Sequence, residues 1–283
     1  LRFARLGGGV GVLDIVLSTT EWHPPRRPPV AEWTLAGGTR PARAVLYQAD
    51  GAFDFWTDDV GRFRVDPDAG CIELPSCGDE IAREQRLWGI PSALCYLRRG
   101  DFPLHAAAVE VDRGALLLAA PGGCGKTTLA LAFHRHGYRV LSEDLTCCRV
   151  HDTPVALPGP ALLRVRRDMF DAPPAGTHVV AVRPDRVSLA LDRDQRGDGA
   201  PVPIRAIVFL RVGLRAIRIE PVPASSALPD LWALAFHLPT AAGRASAFHQ
   251  LARLAAAVPV WNLFRPLEPG ALEASVIRLA ALR

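Results

Sequence analysis

The chain has 283 residues, 49% of them apolar, and a formal net charge of +4. That supplies enough apolar material for one large or two small packed cores and argues against a disordered chain, while arginines scattered without a basic stripe argue against nucleic-acid binding. Its six cysteines form no Cys-x-x-Cys pair or metal-finger pattern, and no apolar run reaches the roughly 18 to 20 residues a membrane span requires. The expectation is a reduced, cytoplasmic protein with neither nucleic-acid nor membrane partners.

In chain order, Pro24 to Pro29 reads as an extended, solvated loop, because proline fixes φ and removes a backbone donor. From Ala44 to Leu74, short alternating runs are separated by Asp50-Gly51, Asp58-Asp59 and Asp68-Ala69-Gly70, which predicts a small antiparallel sheet. Residues 79–98 carry Ile81, Leu87, Ile90, Leu94 and Leu97 at helical spacing, with Pro91 dividing two helical pieces. A strand over His105 to Val111, a turn at Asp112-Arg113-Gly114 and a buried apolar strand over Ala115 to Ala120 follow.

Next come a helix over Thr127 to His136 closed by Gly137, and a strand over Tyr138 to Ser142 ending on Glu143-Asp144. Further strands are expected over 161–165, 187–191, 204–211 and 217–222, with loops over 171–177 and 192–203. Helices near 228–236 and 241–257, a short strand over 258–264 and a helix near 272–282 close the chain. The reading divides it into a β-rich region over 1–95 and an α/β region over 96–283.

Of the 33 basic residues only Lys126 is a lysine. A single lysine in an arginine-dominated chain marks a place where a compact ammonium on a flexible stem serves and a planar guanidinium does not. It sits in Ala120-Pro-Gly-Gly-Cys-Gly-Lys-Thr-Thr128, a phosphate-loop pattern with Ala in place of the first Gly. Gly122, Gly123 and Gly125 let successive backbone N–H groups, with that of Cys124, turn inward on phosphates. Lys126 then reaches β- and γ-phosphate oxygens, Thr127 is placed to ligate Mg²⁺, and Thr128 lies where the helix N-terminus adds its donors. The expected ligands are therefore ATP and Mg²⁺. Glu143 and Asp144, at a strand end about twenty residues later, suit one carboxylate that holds the metal and another that accepts a proton. Cys124 occupies a variable position and reads as a small filler.

Leu104-His105-Ala-Ala-Ala-Val, the loop, and Val140-Leu-Ser-Glu-Asp-Leu145, in that order and spacing, resemble the catalytic domain of HPr kinase/phosphorylase, which shares its fold with phosphoenolpyruvate carboxykinase. The likeness spans roughly residues 95 to 283 and is closer to the short HPr-kinase-like proteins, some of which phosphorylate a serine of a lasso-peptide precursor; Val258-Pro-Val-Trp-Asn-Leu263 also resembles that group. It implies a P-loop, mixed-sheet kinase core with an N-terminal β-rich region. It makes His105 a phosphate-site residue, Lys126 the β/γ-phosphate ligand, Thr127 with Asp144 the metal pair, and Glu143 the position of the proton-accepting acid. Because the family pair is usually two aspartates, the base is either Glu143 or Asp144.

The Glu-x-Arg-Gly-x-Gly signature of long family members is missing, and Leu157 to Arg164, where it would fall, lacks any acid. HPr itself is therefore not the expected acceptor. Arg164, Arg166 and Arg186 are candidates for an arginine facing the loop. The resulting expectation is an ATP- and Mg²⁺-dependent kinase acting on a serine hydroxyl of a peptide or protein, with monomer and homo-oligomer both left open. A nucleotide-binding module without transfer activity and a small-molecule kinase are the alternatives.

Overall fold

The computed structural model describes residues 13–35, 41–76, 78–192, 199–213, 216–238 and 240–282. These residues form a mixed α/β fold with three sheets among them. The first contains β1 (Asp14–Ser18), β2 (Ala31–Leu35), β3 (Ala42–Ala49), β4 (Ala52–Thr57), β5 (Gly61–Asp66) and β6 (Cys71–Pro75), in the order β1-β6-β5-β4-β3-β2. The β3–β4 hairpin turns on Asp50 and Gly51 at φ of 52° and 81°, the paired positive φ that a tight two-residue hairpin demands. All neighbours are antiparallel except β1, which joins β6 in parallel. The Pro24 to Pro29 stretch connects β1 to β2 as a loop.

Helix α1 (Glu80–Leu87) is capped by Asp79, whose carboxylate accepts from the backbone N–H groups of Ile81 and Ala82. Helix α2 (Ile90–Arg98) starts with Pro91 in its first turn, where the missing N–H costs nothing. The apolar face of this first sheet packs Phe55, Phe63 and Ile72 against Leu87, Leu94 and Cys95. Residue 95, the expected boundary, thus lies within α2; Leu97, two residues on, packs into the next core.

The central sheet is built from β7 (Phe102–Leu104), β8 (Ala106–Val111), β9 (Gly114–Ala119), β10 (Arg139–Ser142), β11 (Thr146–Arg149) and β12 (Val155–Leu157), with contributions from further along the chain. Helix α3 (Lys126–Arg135) links β9 to β10 and ends at Gly137, φ 84°. A separate antiparallel sheet contains β13 (Leu162–Arg166), β14 (Thr177–Val182) and β15 (Arg186–Leu191). Strands β16 (Val202–Val212) and β17 (Arg218–Val222), helices α4 (Ala224–Leu234) and α5 (Ala241–Ala257), β18 (Val260–Arg265) and α6 (Pro269–Ala280) complete the chain. The central order is β10-β8-β9-β16-β12-β11-β7, with β18 beside β16 and β17 beside β18.

Alternation along β8 and β9 sorts side chains onto two faces. Ala107, Val109, Leu116 and Leu118 pack against α3, α6 and the three-stranded sheet. Ala106, Ala108, Leu117 and Ala119 pack against α4 and α5. No described helix is long and apolar enough to cross a membrane. Sequence reasoning overlooked β1, β2, β7, β11, β12 and β14, because three- to six-residue segments carry little periodicity of their own and become strands only by pairing. Part of the expected 192–203 loop lies outside the described residues.

Strand direction places the site. Strand β8 is antiparallel to both β9 and β10, so β9 and β10 run the same way. Strand β16 is parallel to β9, and β18 to β16. The start of β8 and the ends of β9, β10 and β18 therefore meet at one edge of the sheet.

Candidate active site

The loop after β9 turns on Gly123 and Gly125, both left-handed at φ of 81° and 85°, a region open to glycine at little cost. Gly125 caps α3 without any side-chain hydrogen bond, leaving the first N–H groups of the helix free for a ligand. Gly122, Gly123, Gly125, Lys126, Thr127 and Thr128 line a cavity of about 340 Å³. The Cys124 side chain instead packs against the core on the α3 face.

Lys126 is 6% exposed. Its Nζ donates to the carbonyls of Ala120 and Pro121 at 2.9 and 3.3 Å and lies 2.8 Å from His105 Nε2. Burial lowers the lysine pKa, opposed by the charges of Asp144 and Glu143. His105, immediately before β8, is held by its backbone N–H on Leu234 O at 2.8 Å, and its Nε2 also lies 3.2 Å from Asp144 Oδ1.

The two acids differ in environment. Glu143 is buried, accepts from Thr127 Oγ1 at 2.6 Å on one oxygen, and from Arg164 Nε at 2.9 Å on the other. Asp144 has about half its side-chain surface, 51%, open to the cleft and pairs with Arg164 Nη2 at 3.1 Å. The cleft walls desolvate its carboxyl, which raises the pKa; the His105 hydrogen bond and the charges of Arg164 and Lys126 outweigh this and hold it well below the ordinary carboxylate range. Burial disfavours the Arg164 cation in turn, but its two carboxylates more than offset that and push its pKa up.

The structure thus brings together His105, Lys126, Thr127, Glu143 and Asp144. Within the expected metal pair, Thr127 stands against Glu143, and Asp144 against His105. Of the three candidate arginines, Arg164 joins the acids; Arg166 and Arg186 line the cavity, Arg166 pairing with Asp168 and Arg186 donating to Arg164 O. Arg265, at the end of β18, was not foreseen: it is 2% exposed and reaches Gly125 O at 3.4 Å. Only its lone basic charge in an apolar strand could have signalled it.

A second cavity, of about 460 Å³, shares Gln85, His105, Glu143, Asp144 and Arg164 with the first. Its remaining wall is largely apolar, including Phe55, Trp88, Ile90, Leu162 and Phe236. The acidic pair therefore stands between a polar cavity over the glycine loop and an apolar one beside the first sheet.

No protein-family model and no curated protein sequence matches the chain. It is structurally similar to the HPr(Ser) kinase/phosphatase from Coxiella burnetii. The similarity is distant, at 10% sequence identity and a TM-score of 0.32, and it covers 62% of this chain and 94% of that one.

Proposed function

We propose that this protein is an ATP- and Mg²⁺-dependent kinase that transfers the γ-phosphate to a hydroxyl, on the present reading a serine of a peptide or protein. The observation that carries the reading is the convergence of Lys126 Nζ, His105 Nε2, the Thr127–Glu143 pair and the Asp144 carboxylate on the glycine loop at one sheet edge. Inward amides, a buried ammonium and adjacent carboxylates are what phosphoryl transfer uses, because its catalysis is chiefly positioning and charge stabilisation.

The residues suit a magnesium ion. Thr127 Oγ1 and Glu143 Oε1 place two hard oxygen donors 2.6 Å apart beside the loop, and Mg²⁺ is commonly held by one or two carboxylates together with substrate phosphates. When bound, the ion would neutralise charge on the transferring phosphoryl group. Lys126 would shift from its two carbonyls and His105 to the phosphate oxygens. His105 would orient Asp144 and face the phosphate.

Asp144, the acid more open to the cleft, is the proton acceptor in this reading. The acceptor oxygen bonds to the γ-phosphorus, the bond from that phosphorus to the β–γ bridging oxygen breaks, ADP leaves, and the hydroxyl proton passes to Asp144. A carboxylate held in its ionised form is a weak base, which suits a loose transition state in which proton transfer comes late. The apolar second cavity provides the acceptor's approach to the same groups.

The test is incubation of the purified chain with γ-labelled ATP, magnesium and pools of serine-containing peptides. Label is expected in peptide with wild type and is expected to be lost with Lys126→Ala. Equal labelling by the two proteins would sink the reading.

A further inference from the structure

Arg265 is among the largest fully buried side chains of the protein, at 2% exposure. The other deeply placed arginines with ion pairs here have acids: buried Arg86 pairs with Asp59, and half-buried Arg164 with Glu143 and Asp144. Among the described residues Arg265 has no carboxylate partner. Its Nη1 and Nη2 reach only the carbonyls of Pro266 and Gly125, each at 3.4 Å, and its Nε has no partner at all. Such contacts are at the weak end of hydrogen bonding. A buried guanidinium so poorly compensated is costly to keep, and burial alone lowers its pKa.

The guanidinium lines the cavity over the glycine loop together with Thr128, Leu267 and Leu272. It meets the loop at Gly125, the left-handed N-cap of the ten-residue α3, whose first N–H groups have no side-chain cap. A Cβ on Gly125 would lie 2.4 Å from Arg265 Nη2, so the glycine leaves room for the arginine as well as for the turn. His105 and Asp144 come to the loop instead at Lys126, through the ammonium and the imidazole.

We infer that Arg265 is a second cationic anchor for the phosphates of a nucleotide, fixed by the C-terminal strand and completing the anion site at the start of α3. The missing counter-charge of the buried guanidinium is then the ligand itself: a nucleoside diphosphate or triphosphate brings the negative oxygens that the protein withholds. This rests on the phosphate-binding reading of the loop. It adds that the loop's grip depends on a residue 140 positions away in sequence.

A purely structural arginine and an anion anchor behave oppositely on neutral replacement. The full-length chain and its Arg265→Met and Arg265→Lys variants would be titrated calorimetrically with ADP and with pyrophosphate, and melted without ligand. Charge-assisted hydrogen bonds of this kind correspond to roughly a tenfold to hundredfold change in affinity. Arg265→Met is expected to weaken both probes by about that factor and to melt, ligand-free, no lower than wild type. Arg265→Lys is expected to recover part of the affinity.

Unchanged affinity in Arg265→Met overturns the inference and leaves the loop's role intact. A ligand-free melting point several degrees lower in Arg265→Met than in wild type also overturns it, by assigning the arginine to the fold. Failure of wild type to bind either probe removes the phosphate-binding reading itself.

Discussion

Lys126 Nζ lies 2.8 Å from His105 Nε2, and that same imidazole nitrogen lies 3.2 Å from Asp144 Oδ1. One ring nitrogen cannot both accept from an ammonium and donate to a carboxylate. The lysine and the acid therefore compete for it. A ligand phosphate that draws the ammonium away leaves His105 free to donate to Asp144, which links occupancy of the loop to orientation of the acid.

Lys126→Arg is expected to be nearly as damaging as Lys126→Ala. The ammonium fits between the carbonyls of Ala120 and Pro121 and the His105 ring at 6% exposure. A planar guanidinium is wider and cannot be placed there as a point charge. The expected outcome is a loss of about a hundredfold or more in kcat/KM, read by labelled-phosphate transfer. Arginine activity within about threefold of wild type would contradict the argument, since such a ratio is under 1 kcal/mol of transition-state stabilisation.

Arg164 neutralises two adjacent carboxylates, one of them buried Glu143. Arg164→Met leaves Glu143 without its cation and the two acids facing each other. Removing one partner of such a buried pair costs about 3 kcal/mol, measurable as a lower midpoint in urea. Adding Glu143→Gln is expected to restore part of the loss, because it removes the uncompensated charge; strictly additive losses would show that the pair is not coupled.

The pH dependence of stability carries a definite sign for Asp144. Its folded pKa is lowered, so the stabilisation from its ionised form is complete above the unfolded value of about 3.9 and is lost as pH falls toward the folded pKa. The stability gap between wild type and Asp144→Asn is thus expected to be widest above about pH 5 and to narrow below about pH 4. Chemical denaturation at several pH values measures it, and a gap that widens on acidification would refute the assignment.

If the apolar cavity receives the acceptor, its wall controls acceptor affinity without touching the nucleotide. Trp88 lines that cavity and not the one over the loop. Trp88→Leu is expected to raise KM for a phosphorylated peptide about tenfold, the scale of removing one large apolar contact, with KM for ATP unchanged. Equal shifts in both constants would place the tryptophan in a general structural role.

The local parts of the candidate site were legible in the sequence. An apolar strand, a glycine turn and an apolar helix are contiguous between Ala115 and His136, and hydrophobic patterning with glycine chemistry fixes them without distant help. Composition marked Lys126, the single lysine among 33 basic residues. The two helical pieces around Pro91 and the hairpin at Asp50-Gly51 were equally local.

What the sequence could not decide was which distant residues share the loop's edge. Strand direction and neighbour order place His105 against Lys126, Thr127 against Glu143 and Arg265 over Gly125. Both depend on burying two faces of one sheet, a property of the whole chain. Arg164 lies on a separate sheet altogether, and its pairing with both acids exists only because that sheet packs over α3. Side-chain period can announce a strand, but the partner it lies beside is chosen by long-range packing.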